Sequence, residues 1–134
     1  MNRVVLAVAI VALGFGNLAF AGEAEVAAGE KVFKKCKACH AVGEGAKNKV
    51  GPLLNDLFGR VPGTAEGYKY SKAMAAFGED GKVWDEELVA TFLAGPKKLV
   101  KGTKMSLAGL KNPDDIANII EYLETFDADG DGAS

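Results

Sequence analysis

Apolar residues spaced three and four positions apart mark three amphipathic helices in this chain. In residues 25–37 these positions are Val26, Gly29, Val32, Phe33 and Cys36. After Asp85 they are Leu88, Phe92 and Leu93, and after Asn112 they are Ile116, Ile119, Ile120 and Leu123. Because this spacing brings side chains to one face of a helix, the pattern predicts three main helices.

Capping residues support the second and third helices and predict a short additional one. Asp85 and Asn112 stand where these two helices would begin, and Gly95-Pro96 would end the second. A short helix is predicted over Ser71–Phe77, with Ser71 as its cap. In the first helix, Gly29 costs about 1 kcal/mol relative to alanine, so we expect another backbone to approach closely there.

Two long segments lack a helical period and are rich in glycine, so they are predicted to be loops. These are residues 41–67, with one turn of helix over Leu53–Phe58, and residues 97–111. No segment has a persuasive strand pattern. The predicted fold class is therefore all-α, with three main helices, short helices and long loops.

The first 21 residues have the features of a secretory signal peptide. Arg3 gives a positive start, Val4–Leu18 is an apolar run too short to span a bilayer comfortably, and Ala19-Phe20-Ala21 is a cleavage signal. The alternative is an uncleaved membrane anchor. We predict cleavage after residue 21, a single folded domain over residues 22–126 and export to the periplasm.

Charge is strongly polarised along the chain. Loss of Arg3 with the signal peptide leaves 15 basic and 18 acidic residues, a net charge of −3, and nothing suggests nucleic-acid binding. The segments 31–49 and 97–111 contain clusters of lysines, and their one acidic residue is Glu44. In residues 113–134 every charged side chain is acidic. Such a chain has a large electric dipole despite its small net charge.

Cys36-Lys37-Ala38-Cys39-His40 is the pattern for c-type haem attachment. In that chemistry the two thiols add to the two vinyl groups of one haem, and the histidine that follows becomes the proximal iron ligand. Both cysteines of the chain and its one histidine lie in this motif. We therefore predict one haem c per chain, bound through Cys36 and Cys39.

Three other interpretations of the motif fit less well. A structural zinc site needs four ligands, and only three are present. A thioredoxin-like redox pair expects a βαβ setting, and a disulfide across so short a loop would add little stability and leave His40 unexplained.

Residue spacing alone does not decide which group would be the sixth iron ligand. Met74 lies in an apolar stretch, where a core methionine is the usual outcome. Met105 lies in a polar loop, where a soft sulfur ligand for iron would explain it. These residues favour Met105 over an open coordination site.

The sequence from Gly29 to Leu123 resembles a class I cytochrome c of the mitochondrial and bacterial c2 type. The segments that carry the resemblance are Gly29–Phe33, Lys49–Leu54, Phe58-Gly-Arg60, Pro96-Lys-Lys and Gly102–Met105. The resemblance implies a small cytochrome c fold wrapped around one covalent haem, with His40 and Met105 as axial ligands. It also implies that the C-terminal helix, with Tyr122 and Leu123, crosses the first helix near Gly29.

The resemblance further implies roles for residues around the haem. Pro52 would accept a hydrogen bond from the His40 ring, and a loop containing Thr103 would present Met105. Arg60, Tyr70 and Trp84 match positions that hold a haem propionate in the family.

The sequence departs from the mitochondrial form at several positions. Phe92 stands in place of a tyrosine near the methionine, Leu107 in place of an aromatic residue and Met74 in place of an asparagine. These differences and the signal peptide favour the bacterial branch.

With both axial positions filled, the iron could only gain or lose one electron, so we predict an electron carrier and not an enzyme. The haem edge would be ringed by lysines that steer acidic membrane redox complexes: Lys34, Lys35, Lys37, Lys47, Lys49, Lys97, Lys98, Lys101 and Lys104. By resemblance, the donor is a membrane cytochrome bc complex and the acceptor an oxidase, a peroxidase or a photosynthetic reaction centre. The protein is expected to be a monomer without stable membrane insertion.

Two other functional classes are alternatives to an electron carrier. An enzyme or sensor would have an open haem that binds carbon monoxide, and a module without haem would be colourless.

Asp127-Ala-Asp129-Gly-Asp131-Gly132 matches the start of an EF-hand loop, but that loop needs a glutamate at its twelfth position. We therefore predict a disordered acidic tail over residues 127–134.

Overall fold

The computed structural model describes residues 18–132, with side chains from residue 22 onward. Its helices are α1 (Leu18–Phe33), α2 (Lys72–Gly78), α3 (Glu86–Ala94), α4 (Pro96–Leu99) and α5 (Pro113–Glu124). Over residues 18–132 the β-pairing is limited to one isolated bridge between Phe126 and Gly132, so the predicted all-α class is confirmed. None of the helices in this range is long and apolar enough to cross a membrane. Residues 1–17, most of the predicted signal peptide, lie outside the described residues.

The predicted capping residues begin three of the helices. Ser71 accepts a hydrogen bond from the Met74 N–H at the start of α2, and Asp85 accepts one from the Leu88 N–H at the start of α3. Asn112 does the same for α5. These bonds satisfy donors that a helix N-terminus otherwise leaves open, so local sequence alone fixes where these helices begin.

The first helix ends earlier than its apolar period predicts. α1 ends at Phe33, whereas the pattern extends to residue 37. The chain then continues in tight turns, in which the Cys36 N–H donates to the Phe33 carbonyl and the His40 N–H to the Cys36 carbonyl, each at 2.8 Å. These turns keep a near-helical spacing, which explains why the sequence pattern runs on.

Two loop predictions also need correction. Residues 53–58 form turns and no helix, because Asp56 adopts a positive φ of 53° and donates its N–H to the Phe126 carbonyl. Within the predicted loop 97–111, residues 97–99 belong to α4. Pro96 starts this short helix, since its fixed φ suits a first helical position.

The core is built on a close crossing of α1 and α5 at Gly29. A Cβ atom at this position would overlap the Asn118 carbonyl oxygen and lie 2.6 Å from the Tyr122 Cβ. The predicted close approach of a second backbone is therefore present. Phe33 and Ile119 are almost completely buried beside the crossing, and the Phe33 and Tyr122 ring centroids are 5.5 Å apart.

The acidic C-terminal segment has a defined turn where the sequence predicts disorder. The Asp127 carboxylate accepts the N–H groups of Asp129 and Asp131, each at 3.0 Å, and Gly130 is buried against Gly43. Contacts with a loop far away in sequence therefore order residues 127–132. Among the described residues, no group of three or more metal-binding side chains is placed to hold an ion.

The Gly29 crossing gives a stability prediction. Gly29→Ala is expected to lower the free energy of unfolding by about 3 kcal/mol, because α1 and α5 must separate to admit the methyl group. Denaturant unfolding of the protein, monitored by circular dichroism, would measure this. Ala27→Gly, on the exposed side of the same helix, controls for helix propensity and should cost only about 1 kcal/mol. An unchanged midpoint for Gly29→Ala would contradict the crossing.

Candidate functional site

All nine residues selected from the sequence line one cavity of about 390 Å³. They are Cys36, Cys39, His40, Pro52, Arg60, Tyr70, Trp84, Thr103 and Met105. They come from the turns after α1, the long loop before α2, the segment between α2 and α3, and the loop before α5. Most of the remaining wall is apolar, including side chains from α3 and α5 such as Phe92, Ile119 and Leu123. The cavity therefore joins distant parts of the chain around the cysteine motif.

His40 is held with one ring nitrogen committed and the other available. Its Nδ1 lies 2.7 Å from the Pro52 carbonyl oxygen, the contact that the resemblance implies for this pair. Burial lowers the pKa of His40, while the Pro52 carbonyl opposes that shift and the charges of Arg60 and Lys49 add to it. A neutral ring that donates through Nδ1 presents an Nε2 lone pair, as a metal ligand must.

The backbone of Gly51 packs directly against the His40 ring and leaves it little room to rotate. A Cβ atom there would overlap His40 Cε1 and lie 2.8 Å from both ring nitrogens. The Gly51 N–H also donates to the Cys39 carbonyl at 2.7 Å. The Lys49–Pro52 loop is thus clamped directly onto the imidazole.

The two cysteines lie close together in sequence at the cavity wall. Both are free and partly buried at the cavity wall. Burial raises the pKa of Cys36, and the nearby charge of Lys35 only partly offsets this. Reactive redox pairs have a lowered thiol pKa, so this environment disfavours the thioredoxin-like interpretation.

Arg60 brings a positive charge into the cavity, where its Nη1 is paired and its buried Nε is not. Its Nη1 donates to the Leu53 and Asn55 carbonyls at 3.1 and 3.4 Å. Its Nε is buried and has no hydrogen-bond partner within the described part of the chain. Because an unpaired buried donor is costly, this atom fits a bound acidic group that would accept from it.

Tyr70 and Thr103 add hydroxyl groups whose protons are free to donate. Tyr70 Oη accepts the Ala65 N–H at 3.0 Å, and burial raises the pKa of Tyr70, so the phenol stays protonated. Thr103 Oγ1 accepts the Met105 N–H at 3.2 Å, which fixes the loop that presents Met105. Each oxygen therefore serves the chain as acceptor and can serve a ligand as donor.

Trp84 and Met74 belong to the core as well as to the cavity wall. The Trp84 backbone exchanges hydrogen bonds with Gly59 and Arg60, at 2.7 and 2.9 Å, and its ring centroid lies 5.2 Å from that of Phe92. Met74 is buried, as its apolar sequence neighbours predict, and also faces the cavity.

Sequence reasoning missed the polar residues that hold the long loop in shape. Asn55 is buried, and its side chain bonds both the N–H and the carbonyl of Gly43, at 2.8 and 2.9 Å. Tyr68 donates to the Val50 carbonyl and packs edge-on against Tyr70. Their partners are distant or conformation-dependent, so no local pattern identifies them.

The nine lysines of the predicted ring are all exposed, and two of them, Lys35 and Lys104, line the cavity. Lys104 Nζ donates to the Lys69 carbonyl at 3.0 Å, and Lys49 Nζ donates to the Lys37 carbonyl. Lys35 Nζ lies 3.8 Å from the Asp115 carboxylate in an exposed pair. Two of these charges, on Lys104 and Lys49, are therefore held by backbone carbonyls.

The family model for cytochrome c matches residues 26–127, which include the whole cavity. The chain belongs to the cytochrome c family. Members of this family are electron carriers and not enzymes, and they carry covalently attached haem c. The predicted family and the predicted absence of enzymatic activity are confirmed.

Two relatives and one solved structure point to the bacterial c2 branch. The chain is 54% identical over 105 residues to cytochrome c2 of Afifella marina, covering 78% of this chain and 85% of that protein. It is 42% identical over 130 residues to cytochrome c2 of Blastochloris viridis, covering 97% and 98%. The structure of cytochrome c2 from Rhodospirillum centenum matches with a TM-score of 0.73 and 36% identity, covering 76% of this chain and 98% of that one.

The hydrogen bonds of Arg60 to the long loop give a stability prediction. Arg60→Gln is expected to lower the free energy of unfolding by about 2 kcal/mol, since charged hydrogen bonds to two loop carbonyls are lost. Lys47→Gln removes the same charge from an exposed side chain and should change it by less than about 0.5 kcal/mol. Chemical denaturation of both variants would compare them, and equal effects would contradict the bracing role of Arg60.

Proposed function

We propose that the cavity holds one haem c, joined to Cys36 and Cys39, with His40 and Met105 as the axial iron ligands. The observation that carries this proposal is the convergence of all four residues on one largely apolar cavity. The Pro52 carbonyl orients the His40 ring, and burial lowers the pKa of His40, which favours the neutral form that a proximal ligand needs. Relatives named cytochrome c2, which are 54% and 52% identical in sequence, support the same chemistry.

The polar residues of the cavity would orient the haem. The unpartnered Nε of Arg60 fits a propionate, and the free hydroxyl protons of Tyr70 and Thr103 fit the same group. Trp84, which is bonded through its backbone to Arg60, would complete this polar side. The apolar residues would face the macrocycle, because a largely hydrophobic ring gains most where water is excluded.

Two filled axial positions would restrict the protein to single-electron transfer. Both ligands are attached to well-braced backbone, His40 through Gly51 and Met105 through Thr103. A fixed ligand set changes little between Fe(III) and Fe(II), which keeps the rearrangement needed for transfer small. A soft sulfur ligand also raises the reduction potential.

The proposed setting is the periplasm, where the protein would move as a monomer between membrane complexes. The donor would be a cytochrome bc complex, and the acceptor an oxidase, a peroxidase or a photosynthetic reaction centre. Support comes from the predicted signal peptide, from relatives named cytochrome c2 and from the exposed lysines at the cavity.

Removal of the proposed sulfur ligand tests the haem assignment. Met105→Ala is expected to convert a low-spin c-type visible spectrum to a high-spin one that shifts with carbon monoxide, because the sixth position opens. Met74→Leu, at the other methionine of the cavity, should stay low-spin and unresponsive. An unaltered protein that is already high-spin and binds carbon monoxide would instead favour an open-haem enzyme or sensor.

Salt dependence tests the steering role of the lysines. Lys104→Glu is expected to slow oxidation by a purified bacterial cytochrome c oxidase about tenfold at low salt, with the difference disappearing near 1 M salt as charges are screened. Lys72→Glu, an exposed lysine outside both clusters, should have a much smaller effect. A rate that stays flat from low to high salt would exclude electrostatic steering.

A further inference from the structure

The C-terminal turn over residues 126–132 is closed by its own hydrogen bonds. The Asp127 carboxylate accepts the N–H groups of Asp129 and Asp131, each at 3.0 Å. The Asp127 carbonyl accepts the Gly130 N–H, also at 3.0 Å. None of the residues in this turn lines the proposed haem cavity, so the site described above does not account for its order.

This turn packs on the backbone that follows His40. Gly130 is buried with a positive φ of 81°, and a Cβ atom there would overlap the carbonyl group of Gly43. The Phe126 carbonyl also accepts the Asp56 N–H at 3.0 Å. The turn therefore holds two separate segments of the long loop, one at Gly43 and one at Asp56.

The same two segments are bonded to each other. The Asn55 side chain accepts the Gly43 N–H at 2.8 Å and donates to the Gly43 carbonyl at 2.9 Å. The Leu54 N–H donates to the Ala41 carbonyl at 3.1 Å. Gly43 is thus held both by a buried side chain of the loop and by the C-terminal turn.

The two bonded segments lead directly to the His40 ring and to its hydrogen-bond acceptor. One runs back from Gly43 to His40, and the other runs back from Asn55 to Pro52. The Pro52 carbonyl oxygen lies 2.7 Å from His40 Nδ1. A hydrogen bond donated from this nitrogen makes an imidazole a more basic ligand, which stabilises Fe(III) relative to Fe(II).

We propose that the C-terminal turn is a clasp that keeps the Pro52 carbonyl on the His40 ring, with Gly130 and Asp127 as its positioning residues. This inference rests on the proposed haem ligation and adds a determinant of the reduction potential to it. Gly130 reaches Gly43 because it has no side chain, and Asp127 keeps the turn closed. Opening the clasp weakens the hydrogen bond at His40, so the reduction potential rises.

The first test changes Gly130 in the haem-loaded protein. Gly130→Ala is expected to raise the reduction potential and to speed exchange of the His40 Nδ1 proton with solvent about tenfold, because the methyl group pushes the turn off the loop. Gly81→Ala is the matched control, since Gly81 also has a positive φ, of 76°, but a Cβ atom there meets nothing within 4 Å. This variant should keep the native values, as measured by voltammetry and NMR.

The second test separates the shape of the turn from its charge. Asp127→Ala removes the acceptor of two backbone N–H groups and is expected to reproduce both changes. Asp127→Asn keeps an acceptor oxygen, so it should stay much closer to the native values. Both variants lose the same negative charge, so a difference between them reports the geometry of the turn. If Gly130→Ala fails to fold, this comparison still decides the question.

Two outcomes would overturn the clasp alone. One is equal potentials and exchange rates for Gly130→Ala and Gly81→Ala, and the other is equal values for Asp127→Ala and Asp127→Asn. Either result would leave the haem ligation intact, because the visible spectrum of the unaltered protein tests that separately. An unaltered protein without a low-spin c-type spectrum would overturn the haem ligation and the clasp together.

Discussion

The close crossing of α1 and α5 at Gly29 is the contact on which the rest of the structure depends. It fixes the end of α1, and the turns that follow α1 carry Cys36, Cys39 and His40. It also brings Ile119 and Leu123 of α5 to the cavity wall. A bulkier residue at position 29 would therefore move the cysteine motif relative to the wall that faces it, which links one glycine in the core to the geometry of the site.

The loop between α1 and α2 has no regular structure, and individual hydrogen bonds hold it. Asn55 closes on Gly43, Arg60 braces residues 53–55 and the Asp56 N–H bonds the Phe126 carbonyl. The bonds of Asn55 and Arg60 stay within the loop, whereas the bond of Asp56 depends on Phe126, which follows α5. The loop holds the Pro52 carbonyl against His40, so the position of the imidazole depends on these loop hydrogen bonds.

The features predicted from sequence are those that local chemistry determines. Ser71, Asp85 and Asn112 cap their helices because a cap acts within four residues, and the cysteine motif identifies its own site. The positive φ of Asp56 and the ordered turn after Phe126 were not predictable, because each depends on a contact distant in sequence. The polar residues of the cavity came from the family resemblance, since their spacing alone carries no signal.

The arrangement of polar and apolar groups in the cavity constrains what it can bind. Arg60 and Tyr70 lie close enough for the charge of Arg60 to lower the pKa of Tyr70 against the larger effect of burial. The walls from α2, α3 and α5 are apolar, with Met74, Phe92 and Ile119 facing the cavity. A ligand with a broad hydrophobic body and acidic groups along one edge would fit in one orientation, with its acidic edge towards Arg60 and Tyr70 and its body against the apolar walls.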